Sequence, residues 1–134
     1  MNLTVEAKVE NIDPLTNLVN KQLEAMGCSP RVQSQIDIAL DELLSNICHY
    51  AYGDGTGHVT VGIEEIAEEN AVQITIKDYG IPFDPLAHDD PDVSLDIHER
   101  NIGGLGIFLV KKTMSDLRYE YRDGCNILTV VKTL

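Results

Sequence analysis

The sequence predicts an α+β fold, a two-layer α/β sandwich in which a mostly antiparallel sheet carries its helices on one face. Three observations lead there. Strand-period stretches come in adjacent pairs joined by short turns, 58–66 with 71–78 and 117–122 with 127–134, which is how hairpins read. Two apolar stripes at helical spacing stand side by side before the first pair. No β-α-β repeat occurs, which disfavours a doubly wound parallel sheet.

In chain order, Leu3, Val5, Ala7 and Val9 alternate with Thr4, Glu6 and Lys8, the period of a half-buried strand. Asp13-Pro14 then supplies an N-cap followed by proline at the first helical position. Leu15, Leu18, Val19, Leu23 and Met26 follow at helical spacing, and Gly27 can close the helix in a left-handed cap. Ser29-Pro30 repeats the start signal. The longest helix follows, with Val32, Ile36, Ala39, Leu40, Leu43, Leu44, Ile47 and Ala51 on its stripe, until glycines in 53–57 stop it.

Val59, Val61 and Ile63, then Val72, Ile74 and Ile76, mark two strands around a turn at 68–70. From 83 to 102 the pattern dissolves into proline, aspartate and histidine. That is too long for an ordinary connection and reads as a functional lid or a disordered stretch. A third helix is expected over 105–114, and Asp123-Gly124 turns the closing hairpin. The order is β-α-α-β-β-lid-α-β-β, a single domain over 1–134.

Apolar residues make up 43% of the chain and charged ones 24%, ordinary for a soluble globular domain. Ten basic residues against 22 acidic give a net charge of −12. Such a surface repels phosphate backbones and anionic lipid, so neither nucleic acid nor membrane is an expected partner. No apolar run is long enough to span a bilayer and the N-terminus lacks a secretory pattern, so the expected location is the cytoplasm. Cys28, Cys48 and Cys125 are odd in number and widely spaced, which fits reduced thiols rather than a disulfide framework or a zinc cluster.

Three stretches could carry chemistry. Glu42 and Asn46 are one helical turn apart and share a face. Asn46 offers a neutral amide oxygen suited to Mg²⁺ beside phosphates, and Glu42 can take a proton from a hydroxyl or water. Taken alone, the two also fit an ordinary pair on a helix surface. Asp78 ends a strand and Gly80 follows. A carboxylate there can accept from an adenine amine while glycine lets the backbone approach the base, although Asp-x-Gly is also a common turn. Gly103-Gly104-Leu105-Gly106 reads as a flexible loop feeding a helix N-terminus, where free N–H groups and the helix dipole attract anions. It matches neither the P-loop nor the dinucleotide fingerprint.

In this order, Asp41-Glu42-Leu43-Leu44-Ser45-Asn46, Asp78-Tyr79-Gly80-Ile81-Pro82-Phe83-Asp84 and Gly103-Gly104-Leu105-Gly106 resemble the N, G1 and G2 boxes of the GHKL ATPase superfamily. The resemblance runs nearly end to end. His49-Tyr50-Ala51-Tyr52 and the Asp-x-Gly-x-Pro-Phe-Asp-Pro pattern bring it closest to the anti-sigma-factor serine kinases.

The resemblance implies a Bergerat ATP-binding fold with ATP and Mg²⁺ as cofactors. Glu42 would be the catalytic carboxylate and Asn46 the Mg²⁺ ligand. ATP would be held by Asn46, Asp78, Gly80, Gly103, Gly104, Leu105, Gly106 and Thr129, the threonine lying near the adenine carboxylate. It further implies an anti-sigma regulatory factor that phosphorylates a serine on an anti-anti-sigma protein, sequesters a sigma factor and pairs as a homodimer. The alternative is a non-catalytic switch of the same fold that uses ATP only to order its lid and select a partner. His88, Asp89, Asp90, Asp92, Asp96 and His98 crowd the lid, where a solvated acidic loop is the simpler reading than a metal site.

Overall fold

The computed structural model describes residues 1–53, 55–87 and 102–134, with backbone only for 102–105. Strands β1 (Asn2–Glu6), β2 (His58–Ile66), β3 (Ala71–Asp78), β4 (Asp116–Arg122) and β5 (Cys125–Thr133) form one antiparallel sheet in the order β1-β2-β3-β5-β4. Helices α1 (Ile12–Ala25), α2 (Pro30–Asn46) and α3 (Ile102–Thr113) cover one face. The predicted two-layer sandwich is what the chain forms.

Period-2 alternation decides which side chains meet the helices. Val59, Val61, Ile63, Val72, Ile74, Ile76, Leu128 and Val130 point inward against Leu15, Val19, Leu23, Ile36, Leu40, Leu43, Leu44, Ile107 and Val110. Each such aliphatic contributes about 1.5–3 kcal/mol by leaving water. The opposite face carries Thr60, Gly62, Gln73, Thr75 and Lys77, a polar surface over which no helix of the described residues packs.

The helix ends follow local chemistry. Gly27 adopts φ +73°, with Gly27 N–H bonded to Glu24 O at 3.1 Å and Cys28 N–H to Leu23 O at 3.0 Å. That paired closure needs a left-handed residue, which glycine supplies without strain. The Ser29 hydroxyl accepts from Val32 N–H at 3.3 Å, and Pro30 opens α2 as expected. The closing hairpin turns on Asp123 (φ 57°) and Gly124 (φ 76°), the two left-handed positions of a two-residue loop.

Some boundaries differ. β1 stops at Glu6 rather than running on to Val9, because Asn11 Nδ2 donates to Glu6 O and Ala7 N–H to Gly57 O, which turns the chain toward α1. Asn11, not Asp13, is the residue before the first helix. α2 continues without a break into a π turn over Ile47–Ala51. α3 begins at Ile102, ahead of the expected 105. The expected lid is described only to residue 87, where 85–87 make a short 3₁₀ turn, and its acidic and histidine-rich part lies outside the described residues.

Candidate functional site

The site forms where the end of β3, the end of α2 and the start of β5 converge. Asp78 is the last residue of β3, on an inward-facing position, and is 4% exposed. Its Oδ1 accepts from Gly80 N–H at 2.9 Å and from Asn126 Nδ2 at 3.0 Å. Among the described residues nothing donates to Oδ2. A buried carboxylate with one oxygen held by the protein and the other open is an acceptor ready for a ligand donor.

Beside Asp78 lies a cleft open to solvent, lined by Leu43, Asn46, Ile47, Ile76, Ile81 and Leu128 among others. Its walls are largely apolar apart from Asp78, Asn46 and Asn126, the constitution of a small-molecule pocket with a few polar groups to orient the ligand.

The turn after Asp78 is packed onto the end of α2. Ile81 N–H donates to Ala51 O at 2.9 Å, and a Cβ on Gly80 would run into the Ala51 backbone. Glycine is therefore required there by close approach. Tyr52, just past the π turn, bridges two segments: its hydroxyl donates to His58 O and accepts from Tyr79 N–H at 2.8 Å. That ring rests where a Gly57 side chain would be.

On α2 the expected pair is together. Asn46 Nδ2 donates to Glu42 Oε1 over a long 3.5 Å, which leaves the Asn46 oxygen for another partner. Glu42 is half-buried between α2 and α3, facing Gly106. Burial pushes its carboxyl above the ordinary glutamate range, the Asn46 hydrogen bond pulls the other way, and neighbouring Asp41 raises it further.

Two expectations about residues are corrected. Gly103, Gly104, Leu105 and Gly106 do not form a loop ahead of the helix, because they lie inside the first turns of α3. The first N–H groups of a helix have no internal partner, so they remain available to an anion even with the glycines wound in. Thr129 does not lie near Asp78. It pairs with Thr75 on β3, whereas Asp78 pairs with Asn126, and an offset of three along a strand turns Thr129 to the opposite face.

Asn126 was not among the sequence-predicted residues. It is 6% exposed and makes five contacts of hydrogen-bond length. The signal available was a polar residue at an inward-facing position of the closing hairpin, two residues past its turn. No cluster of metal-ligating side chains occurs among the described residues, and none of their helices is long and apolar enough to cross a membrane. All three cysteines are free.

Residues 5–132 match the model of the histidine kinase-like ATPase domain. The serine-protein kinase RsbW of Listeria monocytogenes serovar 1/2a is 29% identical over 107 residues, covering 76% of this chain and 67% of that protein. The RsbW serine-protein kinase of Halalkalibacterium halodurans is 28% identical over 136 residues, covering 98% and 82%. The histidine kinase domain of the Erythrobacter litoralis EL346 blue-light activated histidine kinase has a similar fold. It superposes with a TM-score of 0.53 at 19% identity, over 77% of this chain and 45% of that one.

Proposed function

The chain belongs to the histidine kinase-like ATPase domain family, and from that premise we propose that it is an ATP-dependent protein serine kinase acting as an anti-sigma regulatory factor. The observation that carries the reading is the juxtaposition of the Asp78 cleft with Glu42 and Asn46 on adjoining turns of α2. Similarity to two serine-protein kinases supports the chemistry.

In this reading the adenine ring enters the apolar cleft and its amine donates to Asp78 Oδ2. Gly80 keeps the turn against Ala51 so that the backbone lies close to the base. The phosphates run toward the start of α3, where the first backbone N–H groups, those of Gly103 and Gly104 among them, have no partner inside the helix and can face them. The Asn46 amide oxygen suits Mg²⁺, a hard cation that takes oxygen ligands, and the chemistry the ion supplies when bound is neutralisation of phosphate charge.

Glu42 takes the proton from the acceptor serine hydroxyl as the new O–P bond forms and the bond to the leaving ADP oxygen breaks. A carboxyl raised by burial is a better base than an exposed one. Most of the acceleration comes from positioning and charge neutralisation. The acceptor is proposed to be a small anti-anti-sigma protein, with a sigma factor as a second partner.

β1 is an edge strand, and pairing of two copies across it is the proposed assembly, since exposed edges are usually covered. Light scattering should then report about twice the 14.8 kDa chain mass. The function is tested by incubating the protein with radiolabelled ATP, Mg²⁺ and candidate acceptor proteins. Label on an acceptor serine supports a kinase, while tight ATP binding without any transfer supports the non-catalytic switch.

A further inference from the structure

We propose that Asn126 is a positioning residue for base recognition: its side-chain amide fixes the plane of the Asp78 carboxylate, so that one oxygen is aimed at the nucleotide, and clamps the turn beneath it. The inference rests on the ATP reading above and deepens it.

The Asn126 amide has no freedom to flip. Nδ2 donates to Asp78 Oδ1 at 3.0 Å and to Ile81 O at 2.9 Å, with Gly80 O farther away at 3.5 Å. Oδ1 accepts from Phe83 N–H at 3.1 Å and from the Tyr119 hydroxyl. Reversing the amide would set its N–H₂ against the Phe83 N–H and its oxygen against a carboxylate and two carbonyls. The orientation is therefore dictated by the neighbours.

One side chain thus ties the end of β3, the turn at 80–81, the chain at Phe83 and the ring of Tyr119 on β4. Gly80 N–H and Asn126 Nδ2 both engage Asp78 Oδ1, so the carboxylate plane cannot rotate away from this orientation without weakening two hydrogen bonds. Carboxylate torsions are otherwise broad and twofold. Oδ2 is held toward the cleft as an acceptor, which rewards a 6-amino purine and repels a 6-oxo one.

The test is calorimetry with ATP and with inosine triphosphate, which replaces the base amine by an acceptor oxygen. Wild type should prefer ATP by roughly tenfold or more, the scale of one well-placed hydrogen bond to a charged acceptor. Asn126→Ala should bring the two affinities to within about threefold of each other, mainly by weakening ATP. Tyr119→Phe removes only the hydroxyl that anchors the amide, and should lower the ratio by about two- to fivefold in a chain that still folds. It decides the matter if Asn126→Ala does not fold.

A merely structural role would lower thermal stability while both nucleotides weaken in parallel. An unchanged ratio in the folded variants, or a parallel loss, overturns the inference and leaves the ATP reading standing. If wild type binds neither nucleotide, the ATP reading falls and the inference with it.

Discussion

Gly106 and Glu42 face one another across the α2–α3 contact so closely that a methyl group on Gly106 would occupy the space of the Glu42 carboxylate. The displaced group would be the end of a flexible side chain, so the helices need not separate. Gly106→Ala should therefore leave stability almost unchanged, or raise it by up to about 1 kcal/mol through helix propensity. Phosphotransfer should fall by roughly a hundredfold as the carboxylate moves off its station. Thermal melting beside a kinase assay checks this, and a variant with wild-type turnover would refute the station assigned to Glu42.

Asp78→Asn should cost roughly ten- to a hundredfold in ATP affinity, about 1–3 kcal/mol. Oδ1 already takes two donors, so an asparagine must either point its N–H₂ at Gly80 N–H and Asn126 Nδ2 or turn it toward the base amine. Both arrangements set donor against donor. Isothermal titration decides it: equal affinities would remove Asp78 from the site.

Glu42→Gln should keep nucleotide affinity while slowing phosphotransfer by roughly 10²–10⁴-fold. In wild type, burial raises the Glu42 carboxyl, so the base form is lost on acidification at a higher pH than for an exposed glutamate. Activity should thus fall as pH drops through that raised value. The same shift means the folded protein binds this proton more tightly than the unfolded chain, so Glu42 costs stability as pH rises from the unfolded to the folded value. Glu42→Gln should be no less stable than wild type at neutral pH. A pH–rate profile and a melting series test both signs.

Gly80→Ala sets a side chain against backbone rather than against a movable group, with Ala51 as the obstacle. It should destabilise by about 1–3 kcal/mol and abolish tight nucleotide binding together. Denaturant unfolding measures the first effect and calorimetry the second. A fully stable Gly80→Ala that binds ATP normally would show that the turn can shift without consequence.

The sheet and helices were legible because their signals are local. Alternation in 58–66 and 71–78 gave β2 and β3 to the residue, and Ser29-Pro30 and Gly27 marked real helix ends. The pairing of Glu42 with Asn46 was legible from helix period alone. Thr129 was misplaced because motif likeness does not carry strand register: only the pairing of Asp78 with Asn126 reveals which β5 residues share its face. Asn126 itself was hidden because its partners come from β3, the following turn and β4, contacts made only by the folded sheet. The glycines of α3 were misread as loop because glycine is a poor helix former. At Gly106, close approach by Glu42 outweighs that preference.

The π turn at Ile47–Ala51 joins two things that unfold separately in most proteins. A helix end normally frays on its own, its last carbonyls exchanging protein donors for water. Here the Ala51 carbonyl is held by Ile81 N–H, so the tip of α2 and the turn at 80–81 are expected to open together. Hydrogen exchange at the Ile81 amide should then gauge fraying of the helix tip at Ala51, thirty residues earlier in the chain. Any length change within 47–51 would swing Ala51 around the helix axis and detach the turn. This stretch of the chain is consequently intolerant of insertion or deletion, even where its individual side chains are free to vary.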